Sequence, residues 1–248
     1  MNNQSIGTTS ESSLHKTLKF RYSGGGSTEE EVAGFVADGI NPDGEIVEIQ
    51  IGSFAPLKKK MAAFTSRAKV NIIHPIIIKK YIELYDKKGK LLYRRKSPRQ
   101  GSEYDLFNNL LYAPELVLIP DLRIELALVD VLEKRIRDGK GSWRRKGASI
   151  KDRELAAWHG CLYLNSPADY HRFIPFADSE EFTAAQLAEK AGIDAGLAGK
   201  TVYVLKKINV IKKTGVTGRA WLYQLSIISS ASRLCSAKRS VTARKSSK

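Results

Sequence analysis

Cysteine is scarce in this chain: Cys161 and Cys235 are its only two, and they lie far apart in the sequence. Two such residues build neither a disulfide framework nor a four-cysteine zinc site, and their scarcity fits a reducing cytoplasm. Long apolar runs are also missing. No stretch approaches the roughly 20 residues that a membrane helix needs. Met1–Ser13 has neither the basic start nor the apolar run of a signal peptide. The expectation is a cytoplasmic protein without a membrane partner, disordered over residues 1–10. The glycine run Gly24-Gly25-Gly26 lacks the Gly-Lys-Ser/Thr ending of a phosphate loop, which argues against a nucleotide site of that kind. His15, His74, His159 and His171 have no nucleophile elbow nearby, so a Ser-His hydrolase finds no support.

Acid is in short supply as well. Against 41 Lys and Arg stand 26 Asp and Glu, a formal charge of +15, which favours a polyanionic partner and nucleic acid above all. The 42% of hydrophobic residues suffices for a real core, and 248 residues allow one large domain or two small ones.

What the sequence does contain is concentrated in one hairpin. Asn41-Pro42-Asp43-Gly44 separates two apolar-rich segments and has the composition of a type I turn closed by a left-handed glycine. A three-residue loop of that kind places Asn41 against Glu45 and Asp38 directly across from Glu48. In that register Phe35, Ala37, Val47, Ile49 and Ile51 share one face, while Val36, Asp38, Ile46, Glu48 and Gln50 share the other. Opposed carboxylates repel. Two readings follow: the pair shares a hard divalent cation such as Mg²⁺, or the acids face water, with a one-residue slip separating them altogether.

Asp38, then Glu48-Ile49-Gln50 on the next strand, then a basic helix, resembles the core of the PD-(D/E)XK nuclease superfamily over about Glu11 to Val131. The resemblance implies a restriction-endonuclease-like α/β fold, a mixed sheet flanked by helices. It also implies an Asp and a Glu that bind Mg²⁺ or Mn²⁺, and a Lys two residues after the Glu that helps activate water. Here Gln50 stands in place of that Lys. It is able to orient water and unable to carry charge, and Lys58, Lys59 or Lys60 on the following helix is positioned to replace the missing cation, Lys60 foremost. The helix before the first core strand often adds an acid to such a site, and Glu11 is the acid present there. The alternative, somewhat favoured for Glu11, is a helix-dipole role at the helix start. The whole arrangement also resembles an uncharacterised bacterial family that joins such a domain to a C-terminal winged helix. Asp38, Glu48, Gln50, Lys60 and Glu11 are therefore the candidate catalytic residues, with Asp38 and Glu48 as metal ligands.

Other segments fill in the plan. Leu14, Leu18 and Tyr22 recur at helical spacing, and Ser53 is placed to cap a helix running to about Arg67. Val70–Ile78 reads as a buried strand, with Pro75 marking its end or a bulge. His74 within it reads as a core histidine. Tyr81–Arg95 reads as a hairpin, and Arg94–Arg99 as a basic loop or a solvated linker. Residues 11–136 are assigned to the nuclease-like domain and 137–177 to a basic linker with short helices. In that linker Arg144, Arg145 and Lys146 adjoin Trp143, which either stacks on an unpaired base or anchors the loop. Residues 178–228 read as helix, turn, helix and hairpin, the order of a winged helix-turn-helix. Its second helix, with Lys200, Lys206 and Lys207, would enter a major groove, and Lys213 and Arg219 would lie on the wing. A protein-docking role is the alternative for such a module. Residues 229–248 form a basic tail without acid, predicted to be a disordered phosphate-binding arm. The expected partner is duplex or branched DNA, and a homodimer is compatible with the sequence. The expected function is metal-dependent phosphodiester hydrolysis, or DNA binding by a retired nuclease fold.

Overall fold

The computed structural model describes residues 11–226; the predicted disordered start and the basic tail lie outside them. The chain opens with α1 (Ser13–Ser23). Ser12 caps it by accepting from the His15 N–H, and Gly24, at φ 55°, ends it in the left-handed region that glycine adopts without cost. Three strands follow as an antiparallel meander: β1 (Thr28–Val32), β2 (Phe35–Ile40) and β3 (Ile46–Ile49). The β2–β3 turn closes as its composition dictates. The Gly44 N–H donates to the Asn41 carbonyl, Gly44 takes φ 78°, and the Asn41 side chain accepts from the N–H groups of Asp43 and Glu45.

After α2 (Leu57–Thr65), β4 (Val70–Tyr85) runs parallel to β3. It then turns back through Lys87-Lys88-Gly89 into β5 (Leu91–Lys96). A 3-10 turn at Glu103–Leu106, the one-turn helix α3 (Phe107–Leu110) and a second 3-10 turn lead into β6 (Leu122–Ile136), parallel to β4. The strand β7 (Ser149–Leu164) returns antiparallel to β6. Among the described residues these seven strands form one mixed sheet in the order β1-β2-β3-β4-β6-β7, with β5 also paired to β4. The expectation of a mixed α/β sheet flanked by helices holds. The boundary at residue 136 does not, because the supposed linker contains β7, a strand hydrogen-bonded to β6 over most of its length.

Helix α1 covers one face of the sheet, where Leu14 and Leu18 pack on Val47, Ile49, Ile73 and Val129. The opposite face is the larger core. Phe54, Leu57, Met61 and Phe64 around α2, and Phe107 and Leu110 of α3, pack there on Ile46, Ile72, Ile76, Ile124 and Leu126. The same apolar cluster continues without a break into the C-terminal elements α4 (Ala184–Ala191), α5 (Ala195–Lys207), β8 (Ile211–Thr217) and β9 (Ala220–Leu225). Thr183 caps α4 by accepting from the Gln186 N–H, and Gly192, at φ 64°, ends it. The β8–β9 hairpin turns at Gly218-Arg219. Helix α2 begins at Leu57, after Pro56, and Ser53 does not cap it; the Ser53 hydroxyl accepts from the Ala55 N–H instead.

Candidate metal centre and nucleic-acid surface

The site grows from the point where β2 parts from β3. Paired residues along the two strands are Ile40 with Ile46 and Gly39 with Val47, the predicted register. The next pair would bring Asp38 opposite Glu48, but the ladder stops. In place of a β2 carbonyl, the Asp38 carboxylate itself accepts from the Ile49 N–H at 2.8 Å. Its other partners come from α1: His15 Nε2 lies 3.4 Å from Asp38 Oδ2, and Lys19 Nζ 3.5 Å from Oδ1. Glu48 belongs to the alternate set of β3 that faces α2, with Ile46, and there Lys60 Nζ sits 2.6 Å from its Oε1. The predicted apolar face is corrected accordingly, since Ala37 and Phe35 pack toward α2 while Val47 and Ile49 pack under α1.

Glu11 lies just before the Ser12 cap of α1, at the helix N-terminus and outside its first turn. His15 and Lys19, four residues apart, share one face of the helix, and Glu11 ahead of the cap reaches both. Glu11 contacts the His15 ring directly and lies 3.4 Å from Lys19. Glu11, His15 and Asp38 thus bring three ligand atoms within 4.8 Å of one another. Glu48 is not a member of this group of three, and its Oε1 is taken by Lys60. The reason is geometric: Asp38 fills the gap at the strand edge and takes partners from the α1 side. Sequence reasoning passed over His15. The signal was there in the four-residue spacing Glu11, His15, Lys19.

Electrostatics couple the two acids nonetheless. Burial pushes the Glu48 carboxyl up from its ordinary range, and the negative charge of Asp38 adds to that, against the opposing pull of Lys60. Burial acts on Asp38 in the same sense, but the His15 hydrogen bond, the Ile49 N–H and the charges of His15 and Lys19 outweigh it and hold Asp38 low. Burial works to lower His15, and Asp38 and Glu11 together raise it above its usual value. Glu48 Oε2 is buried and has no hydrogen-bond partner. Gln50 donates from Nε2 to the Ser53 carbonyl at 2.5 Å, which leaves its amide oxygen as an acceptor for water. Of the neighbouring lysines, Lys58 pairs with Glu115 at 2.5 Å, so Lys60 alone of the three is placed on the acids.

A cleft of about 870 Å³ opens beyond Ile51. His74 stands at its edge, fully buried, with Nδ1 against the Gln50 carbonyl at 2.5 Å. Lys80, Arg99 and Lys200 line the cleft further along. Arg99 is tied to Asp105 and Lys200 donates to Asn108 at 2.7 Å. Lys200 therefore fastens α5 to the body and does not project toward a groove. Lys206 is half-buried; Lys207 is exposed beside the Tyr203 ring. Lys213, over the Trp221 ring, and Arg219 at the hairpin turn are both exposed. Arg144, Arg145 and Lys146 lie far from the acids, in a loop between β6 and β7. Arg94–Lys96 belong to β5, so that stretch is strand and not a loop.

With this geometry in place, comparison with known proteins supplies a family. The sequence profile of "Domain of unknown function (DUF8091)" matches residues 12–165. The chain belongs to this family. The matched DUF8091 segment runs from the cap of α1 to just past the end of β7, and so contains the whole seven-stranded sheet and all members of the acid site except Glu11. An "Uncharacterized protein" of Treponema pallidum (strain Nichols) is 30% identical over 151 residues, which cover 60% of this chain and 60% of that protein. No solved structure matches. No helix among the described residues is long and apolar enough to cross a membrane.

Proposed function

We propose that this DUF8091 protein is a metal-dependent nuclease of the PD-(D/E)XK kind, acting on DNA. One observation carries the reading: Lys60 Nζ lies 2.6 Å from Glu48 Oε1, on the acid that is electrostatically coupled to Asp38. That contact supplies from α2 the cation that Gln50, just past β3, fails to provide. Supporting it are the acids on adjacent strands and an acidic residue ahead of the preceding helix.

The donor set suits a divalent cation. Glu11, His15 and Asp38 converge, and Glu48, whose Oε1 is paired with Lys60, keeps a buried Oε2 without a hydrogen-bond partner. Two carboxylates with one imidazole favour Mn²⁺ over Mg²⁺, which prefers an all-oxygen shell. When bound, such an ion lowers the pKa of water and stabilises charge on a scissile phosphate. Lys60 holds positive charge beside Glu48, and the Gln50 amide oxygen accepts from a water and orients it. The exposed wing residues Lys213 and Arg219, with Lys207, add affinity for the phosphate backbone, in the manner of a winged helix.

A second reading, a DNA-binding scaffold without catalysis, is favoured by His15 and Lys19, which already compensate Asp38. Cleavage of a panel of duplex, single-stranded and branched DNA and of RNA, with Mg²⁺ or Mn²⁺, separates the two. The hydrolase reading expects cutting by the parent chain and none by the Asp38→Ala/Glu48→Ala double variant. Binding without cutting by either leaves the scaffold, and equal cutting by both removes this site from the chemistry. Calorimetric Mn²⁺ titration gives a readout apart from activity, in which His15→Ala weakens binding.

A further inference from the structure

The long strands β4 and β6 carry the sheet well past the acid site and end in a second, strongly cationic cavity of about 490 Å³. It is assembled from three places in the sequence: β5, the end of β6, and the loop before β7. Seven of its ten lining residues are Arg or Lys and none is acidic, so the electrostatic character is not diluted locally. Three of the seven are engaged: Arg94 with Glu83, Arg135 with Glu133, and Arg145 with the Ala148 carbonyl. Arg95, Arg137, Arg144 and Lys146 are exposed and have no carboxylate partner among the described residues. Four uncompensated cations converging on one concavity repel one another, and a polyanion relieves that repulsion.

Two aromatic side chains accompany them: Tyr93 lines the cavity, and Trp143 lies at its margin beside Arg144. Trp143 is 82% exposed, with the Arg144 guanidinium 5.6 Å from its ring centre, and Tyr93 on β5 is 40% exposed. The 82% decides against Trp143 as an anchor of the loop to the core. Exposed rings interleaved with unpaired cations form the combination that binds unpaired bases, by stacking on the rings while cations follow the backbone. A duplex keeps its bases stacked on each other and does not use such rings.

We infer that this distal cavity binds a single-stranded stretch of nucleic acid, through Arg95, Arg137, Arg144 and Lys146 on phosphates and Trp143 and Tyr93 on bases. The inference rests on the nucleic-acid part of the proposed function and not on its hydrolytic part. Distance sharpens it. Ile73 of β4 pairs with Ile49 beside the acids, and Leu84 lines the cavity. Eleven residues of strand between them span about 36 Å, equal to about ten nucleotides of a strand at roughly 3.4 Å each. The substrate class is then a nucleic acid with an unpaired segment about ten nucleotides from the position of the acids, such as a flap, a fork or a gapped duplex.

The test is fluorescence anisotropy of the full chain carrying Asp38→Ala, in chelator, so that binding is measured without cleavage. The probes are a labelled oligothymidine of about 30 nucleotides and a duplex of equal length, long enough to span both sites. Trp143→Ala is expected to weaken oligothymidine binding about 10-fold and to leave duplex binding within about 2-fold. Arg95→Ala/Arg137→Ala is expected to reduce the slope of log affinity against log salt by roughly 1.4, two contacts at about 0.7 each on a single strand. Unchanged oligothymidine affinity in both variants overturns the inference. Equal losses for duplex and single strand with Trp143→Ala also overturn it, since stacking would then play no part. So does equal binding of heparin or anionic vesicles that the same variants abolish, which marks a generic polyanion patch. Absence of cleavage in the parent alongside the expected binding pattern sinks the hydrolase reading alone.

Discussion

Lys60 and Glu48 form a pair whose two members are worth more together than either is alone. Both side chains are largely buried, at 20% and 7% exposure, so the carboxylate depends on its cation. Removing one partner of such a pair leaves an uncompensated buried charge, at a cost of about 3 kcal/mol. Lys60→Met is therefore expected to lower the denaturant midpoint substantially, and Glu48→Gln/Lys60→Met to recover most of the loss. Both variants are expected to lack nuclease activity; a stable double variant that is inactive separates the site's chemistry from its packing. The buried His74 makes a different prediction. Burial lowers its pKa in the folded chain against the weaker upward pull of the Gln50 carbonyl bond and of Asp105. The unfolded chain, titrating near 6.5, then binds protons that the folded chain resists, so stability falls as pH drops below about 6.5. His74→Gln is expected to flatten this dependence between about pH 7 and 5 in urea titrations; an unchanged slope would refute it.

At the scale of elements, local chemistry was legible wherever one residue type dictates a backbone state. Asn41 to Gly44 specified the hairpin, Thr183 and Gly192 the ends of α4, and Leu14 with Leu18 the buried stripe of α1. Pro75 misled because its position in the ladder is invisible in sequence. Ile73 points its carbonyl toward β3, where the Gln50 N–H donates to it, and by alternation Pro75 points its nitrogen the same way. The paired part of β3 has ended by then, so the missing N–H costs no ladder bond and β4 continues to Tyr85. β7 was missed for another reason. Its register with β6 slips at three bulges and half-exposed residues line it, so the sequence shows no clean alternation. The acid site was legible as residues but not as a constellation. Gly39, next to Asp38, is packed so closely that an added Cβ would meet Ser23 Oγ at 2.3 Å and the Ser27 carbonyl at 2.9 Å. Gly39→Ala is expected to cost about 1–3 kcal/mol by overpacking and to displace Asp38. Thermal melts and Mn²⁺ titration would register both effects, and wild-type values in each would show that β2 tolerates the methyl group.

For the whole molecule, the apolar contacts decide how far the C-terminal elements are independent. The sequence suggests a module from residue 178 that could be detached, and the DUF8091 match also stops near residue 165. The packing says otherwise. Leu197, Val204, Leu205 and Ile208 of the α5 region lie in the same cluster as Phe107, Leu110 and Leu116 of the body, and Lys200 ties α5 to Asn108. Helix α5 has six buried residues out of thirteen, and its exposed strip is narrow, so the body holds it as a structural helix. Full burial of each such Leu or Ile contributes about 1.5–3 kcal/mol relative to exposure. Severing the cluster thus removes several such contributions from both parts at once, against a total stability of about 5–15 kcal/mol for a typical protein. The chain is expected to unfold in one cooperative transition, with fluorescence and circular dichroism coinciding. A fragment ending at residue 177 is expected to melt lower and to bind a hydrophobic dye through the uncovered face of α3. Two separated transitions, or a fragment as stable as the parent, would mean that the shared core contributes little. Loss of DNA affinity on deleting residues 178–248 would then reflect the module alone, whereas with a shared core it also reports a weakened body. The informative variants for nucleic-acid binding are therefore surface changes at Lys207, Lys213 and Arg219, which leave the core intact.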